Sequence, residues 1–377
     1  MNGRSRLVAA AIVGLTTAAT LAMSFPGAAT DDAPPGGRIV YVTNSGTPNV
    51  THFAINNTGT LTRVSSVEAG GGARGMAFTP DLRFAYVSGT TADRVDMYRI
   101  GPNGVLTRFG AIETPSPVGI EVALNGRMAY VGNGGNRTIS IFTIRPDGAL
   151  TLREVVDSGA AVPKGIAVTP DGHFLYVSHG RPSDTGPSVI TGFAIEPDGT
   201  PGRRVAKADI GISGAETVIT PNGRFVYVVH QVSNDVYGFR VGRDGSLTPV
   251  PNSPVAAGDG PEGAAISPDG RRLYVTAVGV EDRDPSPPGQ VLGFTIGRDG
   301  RLTETVDRVD MASPIGIGFA PNGRRMYVSD YTDSIVNTFT VAPDGNLTLV
   351  QTLGSGGRQP AFQSLSVLPT RSGRTSG

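Results

Sequence analysis

One short apolar phrase governs what this chain can become. The pair Tyr-Val recurs at Tyr41, Tyr86, Tyr130, Tyr176, Tyr227, Tyr274 and Tyr327, at intervals of 45, 44, 46, 51, 47 and 53 residues. Intervals of that size are the repeat lengths of propeller blades, and a repeat has to be read before a 377-residue chain is divided into domains. A turn phrase stands before six of the pairs, as in "TPDGHF", "TPNGRF" and "SPDGRR". Asp-Gly and Asn-Gly supply the positive φ that tight hairpins need, so each phrase joins two antiparallel strands. After the pair comes an alternating strand such as "ISIFTI" (139–144), "VYGFRV" (236–241) or "VLGFTI" (291–296), then a second hairpin signal such as "DGALT" or "DGSLT". Each repeat therefore reads as four strands: A into the first turn, B holding Tyr-Val, C carrying an aromatic, and D opening on Leu-Thr.

A lone four-stranded sheet buries too little to offset its chain entropy, about 1–2 kcal/mol per ordered residue. Stacked face to face in a ring, such sheets gain roughly 1.5–3 kcal/mol for each fully buried large apolar side chain. The ends of the chain supply the closure. "RIVYVTN" has no strand A ahead of it, whereas the chain finishes on "AFQSLSVLP" (361–369), a strand A with no B behind it. Pairing the two completes a blade and removes exposed sheet edges. The expected fold is an all-β, seven-bladed β-propeller over 38–370, with four-stranded antiparallel blades and a ring closed by the N- and C-terminal strands. The repeated tyrosines are read as structural.

Charge is balanced, 32 basic against 32 acidic residues, which offers no electrostatic basis for nucleic acid or an anionic membrane as partner. The 53 glycines and 29 prolines are spread along the chain, as many turns require. Arg4 and Arg6, an apolar run from Leu7 to Met23 and small residues around Ala28-Ala29 have the layout of a secretory signal peptide over 1–29. Residues 30–37 and 371–377 are then expected as flexible ends. Cysteine is absent, so an exported chain would be held by packing alone, without disulfides. The expectation is a secreted monomer that has no membrane contact after cleavage. Its partner would be a small polar molecule or an extracellular or cell-wall component.

The B–C and D–A connections share one face of such a propeller. The longest intervals come from B–C insertions, "HGRPSDTGPS" (179–188) and "AVGVEDRDPSPPG" (277–289). Variable loops on a rigid scaffold carry binding, which places the expected site at that mouth of the channel. Strand A lines the channel. Six residues before its turn proline stand Arg74, Lys164, Glu262 and Gln363 in four blades, and apolar residues in the other three. The next position is glycine in five blades but Glu216 in the fifth, and two positions further on Glu121 is the sole charge. A carboxylate among small residues between packed sheets costs several kcal/mol unless it is paired, hydrogen-bonded or hydrated. A structural ion pair or a watery channel would meet that cost. So would a ligand-facing or acid/base role beside Arg74, Lys164 and Arg358, which makes Glu216 the catalytic candidate and Glu121 and Glu262 candidate ligand contacts. His179 and His230 stand three residues after the tyrosine in consecutive blades, where the last blade has Asp330. With Gln231 they are candidates for holding a polar ligand on the loop-rich face. Neither the histidine spacing nor "VEDRDP" (280–285) fits a metal site, and no G-x-S-x-G, P-loop or cysteine pair occurs, so neither metal nor cofactor is expected.

The phrases "PDG-R-aromatic-x-YV" and "DG-x-LT" resemble the lactonase-type seven-bladed propeller family, which includes the 6-phosphogluconolactonases and carboxymuconate-lactonizing enzymes. "YVTN" (41–44) is similar to the YVTN-repeat branch of secreted and surface propellers. The likeness covers about residues 38–370. In enzymatic members one repeat supplies an Arg and a His from strand A and a Glu shortly after strand B. The resemblance lays these over Ala215, Glu216 and Gln231 within "SGAETVITPNGRFVYVVHQV" (213–232). The replacements favour a secreted binding or interaction propeller that keeps the scaffold without the family chemistry. The alternative is a lactone hydrolase or lactonizing cycloisomerase with a rearranged site. In it Glu216 would serve as base, and Arg358, Arg74 or Lys164 would stabilise developing negative charge.

Overall fold

Seven antiparallel sheets form from the hairpins that the turn phrases specify, and the terminal strands share one of them. A computed structural model of the chain describes residues 38–180, 187–279, 288–305 and 308–368. The expected signal peptide, the two flexible ends and most of both B–C insertions, including the acidic stretch 280–285, lie outside the described residues. In blade 1, strand B (Arg38–Asn44) pairs on one side with strand C (Asn49–Ile55) and on the other with the last strand of the chain (Pro360–Leu368). Strand D (Leu61–Glu68) completes that sheet, so the ring is closed from both ends. The innermost strands of the other blades follow in chain order: Ala73–Phe78, Pro117–Val122, Pro163–Val168, Gly214–Ile219, Pro261–Ile266 and Pro314–Phe319. Each contacts the strand A of the next blade around the central channel.

The recurrent phrase explains the stacking. Each repeat tyrosine is fully buried and donates its hydroxyl to a backbone carbonyl in the next blade's C–D turn. The acceptors, taken from Tyr41 to Tyr327, are Gly104, Gly148, Gly199, Gly245, Gly300, Gly345 and Gly59, at 2.5–2.9 Å. Every acceptor is a glycine at positive φ, between 77° and 103°, where a side chain would strain the turn. The last bond of the set, Tyr327 to Gly59, crosses the closure. Two residues after the tyrosine, a Ser or Thr reaches the next blade's strand A: Ser88 to the Val118 carbonyl, Ser178 to Ala215, Thr276 to Ile315 and Thr43 to Arg74. The intervening valines are buried in the core. The phrase thus docks blade on blade at both an outer and an inner radius.

Strand A explains its own glycines. A Cβ at Gly119, Gly165 or Gly263 would meet the neighbouring blade's carbonyl oxygen within 2.4 Å, so these strands approach too closely for a side chain. Strand D departs from the expected pattern in two blades. It is split into Leu247–Pro249 and Val255–Ala256 in blade 5, and into Leu302–Glu304 and Val309–Met311 in blade 6.

Candidate functional site

The channel has two polar levels, and strand direction separates them. Strand A runs from the loop-rich face to the A–B turn face, so its first residues stand near the loops and its last near the turns. At the loop-rich level the Lys164 ammonium, from blade 4, donates to Gln231 Oε1 at 2.7 Å and to Ser213 Oγ at 3.3 Å. Ser213 Oγ itself donates to Gln231 Oε1 at 3.0 Å. The other end of the Gln231 amide donates to Glu262 Oε1 of blade 6. Burial pushes the Glu262 carboxyl up, while Lys164 and Arg74 pull it back toward the charged form. Arg74 Nε is buried and has no hydrogen-bond partner. Lys164, Ser213, Gln231 and Glu262, from blades 4, 5 and 6, thus form one hydrogen-bonded cluster, and Arg74 of blade 2 acts on its carboxylate through charge.

One level nearer the turns, Gln363 of the terminal strand reaches across the ring and donates to Glu216 Oε1 at 2.9 Å. Gln363 has φ +57°, a left-handed conformation that none of its counterparts in the other blades adopts. Beyond this bridge lies a cavity of about 410 Å³, lined by Glu216, Glu121, Gln363 and strand-A aliphatic residues, with four turn prolines at its mouth. Arg74, Lys164 and Glu262 do not line it. Protein surrounds both carboxyl groups on most sides, while the channel leaves each partly accessible. Burial, with Glu216 nearby, raises Glu121 to about 8. Burial likewise raises Glu216 to about 7, opposed by the Gln363 hydrogen bond and reinforced by Glu262.

The remaining candidates stand elsewhere. His179 and His230 are buried at the ends of their B strands, outside the channel cluster. His179 Nδ1 lies 3.1 Å from the Val189 carbonyl, and burial holds the ring neutral, with its pKa lowered to about 4. His230 Nδ1 lies 2.8 Å from Asp235 Oδ1. Asp330 accepts the backbone N–H groups of Ser313 and Asp333, which fixes the connections on either side of its blade. These contacts hold B–C and D–A connections in place, a task that Asn133 performs in blade 3 through Thr114, Thr138 and Ser140. Arg358 is exposed on the last D–A connection, and its backbone carbonyl accepts from Gly46 and Thr47. Two members of the channel network, Ser213 and Gln363, were not singled out as site residues from the sequence. Ser213 looks like an ordinary turn residue, and Gln363 owes its reach to a backbone conformation that composition does not reveal.

Residues 30–200, 165–259, 188–278 and 244–366 match the family model described as lactonase, 7-bladed beta-propeller. The chain belongs to that family. Among solved structures, a Bacteroides uniformis protein proposed to be a 6-phosphogluconolactonase superposes with a TM-score of 0.73 at 20% identity, over 88% of this chain and 100% of its own. The periplasmic gluconolactonase of Pseudomonas aeruginosa gives 0.71 at 18% identity, over 88% and 99%. Kuenenia stuttgartiensis hydrazine synthase gives 0.63 at 19% identity, over 85% and 94%. At such identities these likenesses show the shared propeller, and chemistry has to be argued from the residues.

Proposed function

We propose that this lactonase-family member is an exported enzyme that opens a small polar lactone at the loop-rich end of its channel. The observation that carries the proposal is the meeting of Lys164 and Glu262 on Gln231. Family resemblance expects an Arg, a His and a Glu from blade 5, where this chain has Ala215, Glu216 and Gln231. A cation and a carboxylate nevertheless stand at that level, supplied by blades 4 and 6. Sugar-acid lactones are the substrate class in view, by analogy with the Pseudomonas aeruginosa gluconolactonase.

In this scheme ionised Glu262 takes a proton from water, and the resulting hydroxide adds to the lactone carbonyl. Negative charge then gathers on the former carbonyl oxygen, where the Lys164 ammonium and Arg74 guanidinium stabilise it. Collapse breaks the ring C–O bond, and the leaving alkoxide recovers the proton from Glu262, giving the open hydroxy acid. Glu216 sits beyond the Gln363 bridge and acts on this level only through its charge.

The test is turnover of an aldonolactone panel by the purified chain. Glu262→Gln should lower kcat/KM by roughly 10²–10⁴-fold and Lys164→Ala by roughly 10²–10³-fold, with folding retained. Because burial raises the Glu262 pKa, the acid limb of the pH–rate profile should lie above the ordinary carboxylate range, with activity rising as that group ionises. A second reading, a binding propeller without turnover, is favoured by the loss of the family Arg and Glu at Ala215 and Gln231. Saturable lactone binding with no hydrolysis, weakened by Lys164→Ala, would select it.

A further inference from the structure

The turn-side half of the channel supplies no group that touches the lactone in that scheme, yet it is a formed cavity with its own chemistry. We infer that it is a second binding site, for a primary alkylammonium ligand whose charged end meets Glu121 and Glu216 and whose hydrocarbon lies among the strand-A aliphatic residues.

Three observations carry this. The first is shape. The cavity holds about 410 Å³, within the range of small-molecule sites, and its walls expose polar and apolar surface in about equal parts, the apolar part including Ile120, Ile166, Val218, Ile317 and Leu365. The second is the distribution of charge. Glu121 and Glu216 line the cavity and no Lys or Arg does so among the described residues, although both carboxyl groups are set deep in the ring. Glu121 has no side-chain hydrogen-bond partner among the described residues, and what perturbs it is burial first and the nearby Glu216 charge second. A ligand cation would meet a carboxyl group here that no protein donor engages. The third is construction. Gln363 adopts a left-handed backbone conformation and bridges the ring to Glu216, and the loop-side cations Arg74 and Lys164 do not reach the cavity lining.

The ligand class follows from the donor set. Ca²⁺ takes six to eight oxygen ligands, and among the described residues no third acidic side chain joins Glu121 and Glu216 to supply them. An ammonium has three N–H donors and is served by two carboxylates and the Gln363 side-chain carbonyl, while its alkyl chain gains from the apolar walls. Since both carboxyl groups lie near neutrality, at about 8 and about 7, a bound cation would favour their ionised forms and release protons. Binding should therefore strengthen as pH rises through that window and level off above it. The other titratable groups that bear on them are Glu262 from blade 6, which acts on Glu216, and Tyr130 from strand B of Glu121's own blade.

The probe is n-hexylammonium, titrated calorimetrically into the full chain at pH 6 and pH 8.5 in two buffers of different ionisation enthalpy, with hexanol and hexanoate as comparisons. Hexylammonium should bind more tightly than either, gain roughly tenfold between the two pH values and release protons near neutrality. Glu121→Gln and Glu216→Gln should each weaken it by roughly tenfold or more. Glu121→Gln should also remove part of the proton release. Absence of binding, equal binding of all three probes, or undiminished binding and proton release in a folded Glu121→Gln variant would each overturn the inference. Lactone turnover, which rests on Lys164 and Glu262, is read separately, so failure of one proposal leaves the other standing.

Discussion

At the scale of single residues, the tyrosine hydroxyl does what the Tyr-Val period alone could not reveal. The interval between tyrosines was readable along the chain, but each acceptor glycine lies in a turn 62 to 73 residues further on for the six bonds that do not cross the closure. Tyr227→Phe deletes the bond to Gly300 while keeping the ring. It leaves a carbonyl without its donor in a buried seam, which should cost about 1–3 kcal/mol. The denaturant midpoint should fall with an unchanged m-value, and an unshifted midpoint would show that the ring, and not the hydroxyl, holds the blades together. The same scale accounts for where site residues were misjudged in weight. The odd carboxylates Glu216 and Glu121 stood out against small residues, and Lys164 and Glu262 were candidates by their place on the channel-lining strand, but Glu216 ranked as the base ahead of Glu262. That Lys164 and Glu262 meet on Gln231 is something only folding brings about.

At the scale of elements, strand A carries the buried channel carboxyl groups, and their chemistry governs a pH effect. Glu121 is held at about 8 in the folded chain by burial, well above an unfolded glutamate. The folded state therefore binds more protons between the two pKa values, and its stability falls as pH rises through about 4.5 to 8. Glu121→Gln removes the titrating group, so its melting temperature relative to the parent should rise progressively across that window, by roughly a few degrees at pH 8. A constant difference from pH 5 to pH 8 would show that the carboxyl titrates normally. The hairpins A–B and C–D were legible because each turn states its own geometry, with Thr169 and Asp171 tied to each other and to the turn backbone. Even "TPDLRF" turns in the expected way, with Leu82 taking φ +55° where other blades place glycine. The interruption of strand D in blade 5 had a sign in "LTPVPNSPVA", since proline cannot donate to a sheet ladder. That sign was outweighed by the regular Leu-Thr opening.

At the scale of the whole molecule, closure assembles the channel and the polar groups that line it. The count of seven and the pairing of the terminal strands were legible because the first strand of the repeats is a B and the last is an A. The polar clusters were not, because their hydrogen-bonded members lie 18 to 147 residues apart and meet only around a closed ring. Strand Pro360–Leu368 completes blade 1, packs against the innermost strands of blades 2 and 7, and delivers Gln363 to Glu216. It also buries Phe362, Leu365 and Leu368. At roughly 1.5–3 kcal/mol for each large side chain, its removal forfeits about 5 kcal/mol or more, against a total stability on the order of 5–15 kcal/mol for a native domain. It also uncovers the edge of strand Arg38–Asn44, whose unpaired backbone would template association between copies. A chain ending at residue 359 should therefore lose its cooperative melt and elute as aggregate in gel filtration. Supplying residues 360–377 as a separate peptide should recover monomer in proportion to its concentration, because the peptide binds the folded ring and not the open chain. A truncated chain that stays monomeric and melts at the parent's temperature would mean that six blades and a fragment stand unaided, and that closure contributes nothing to the channel.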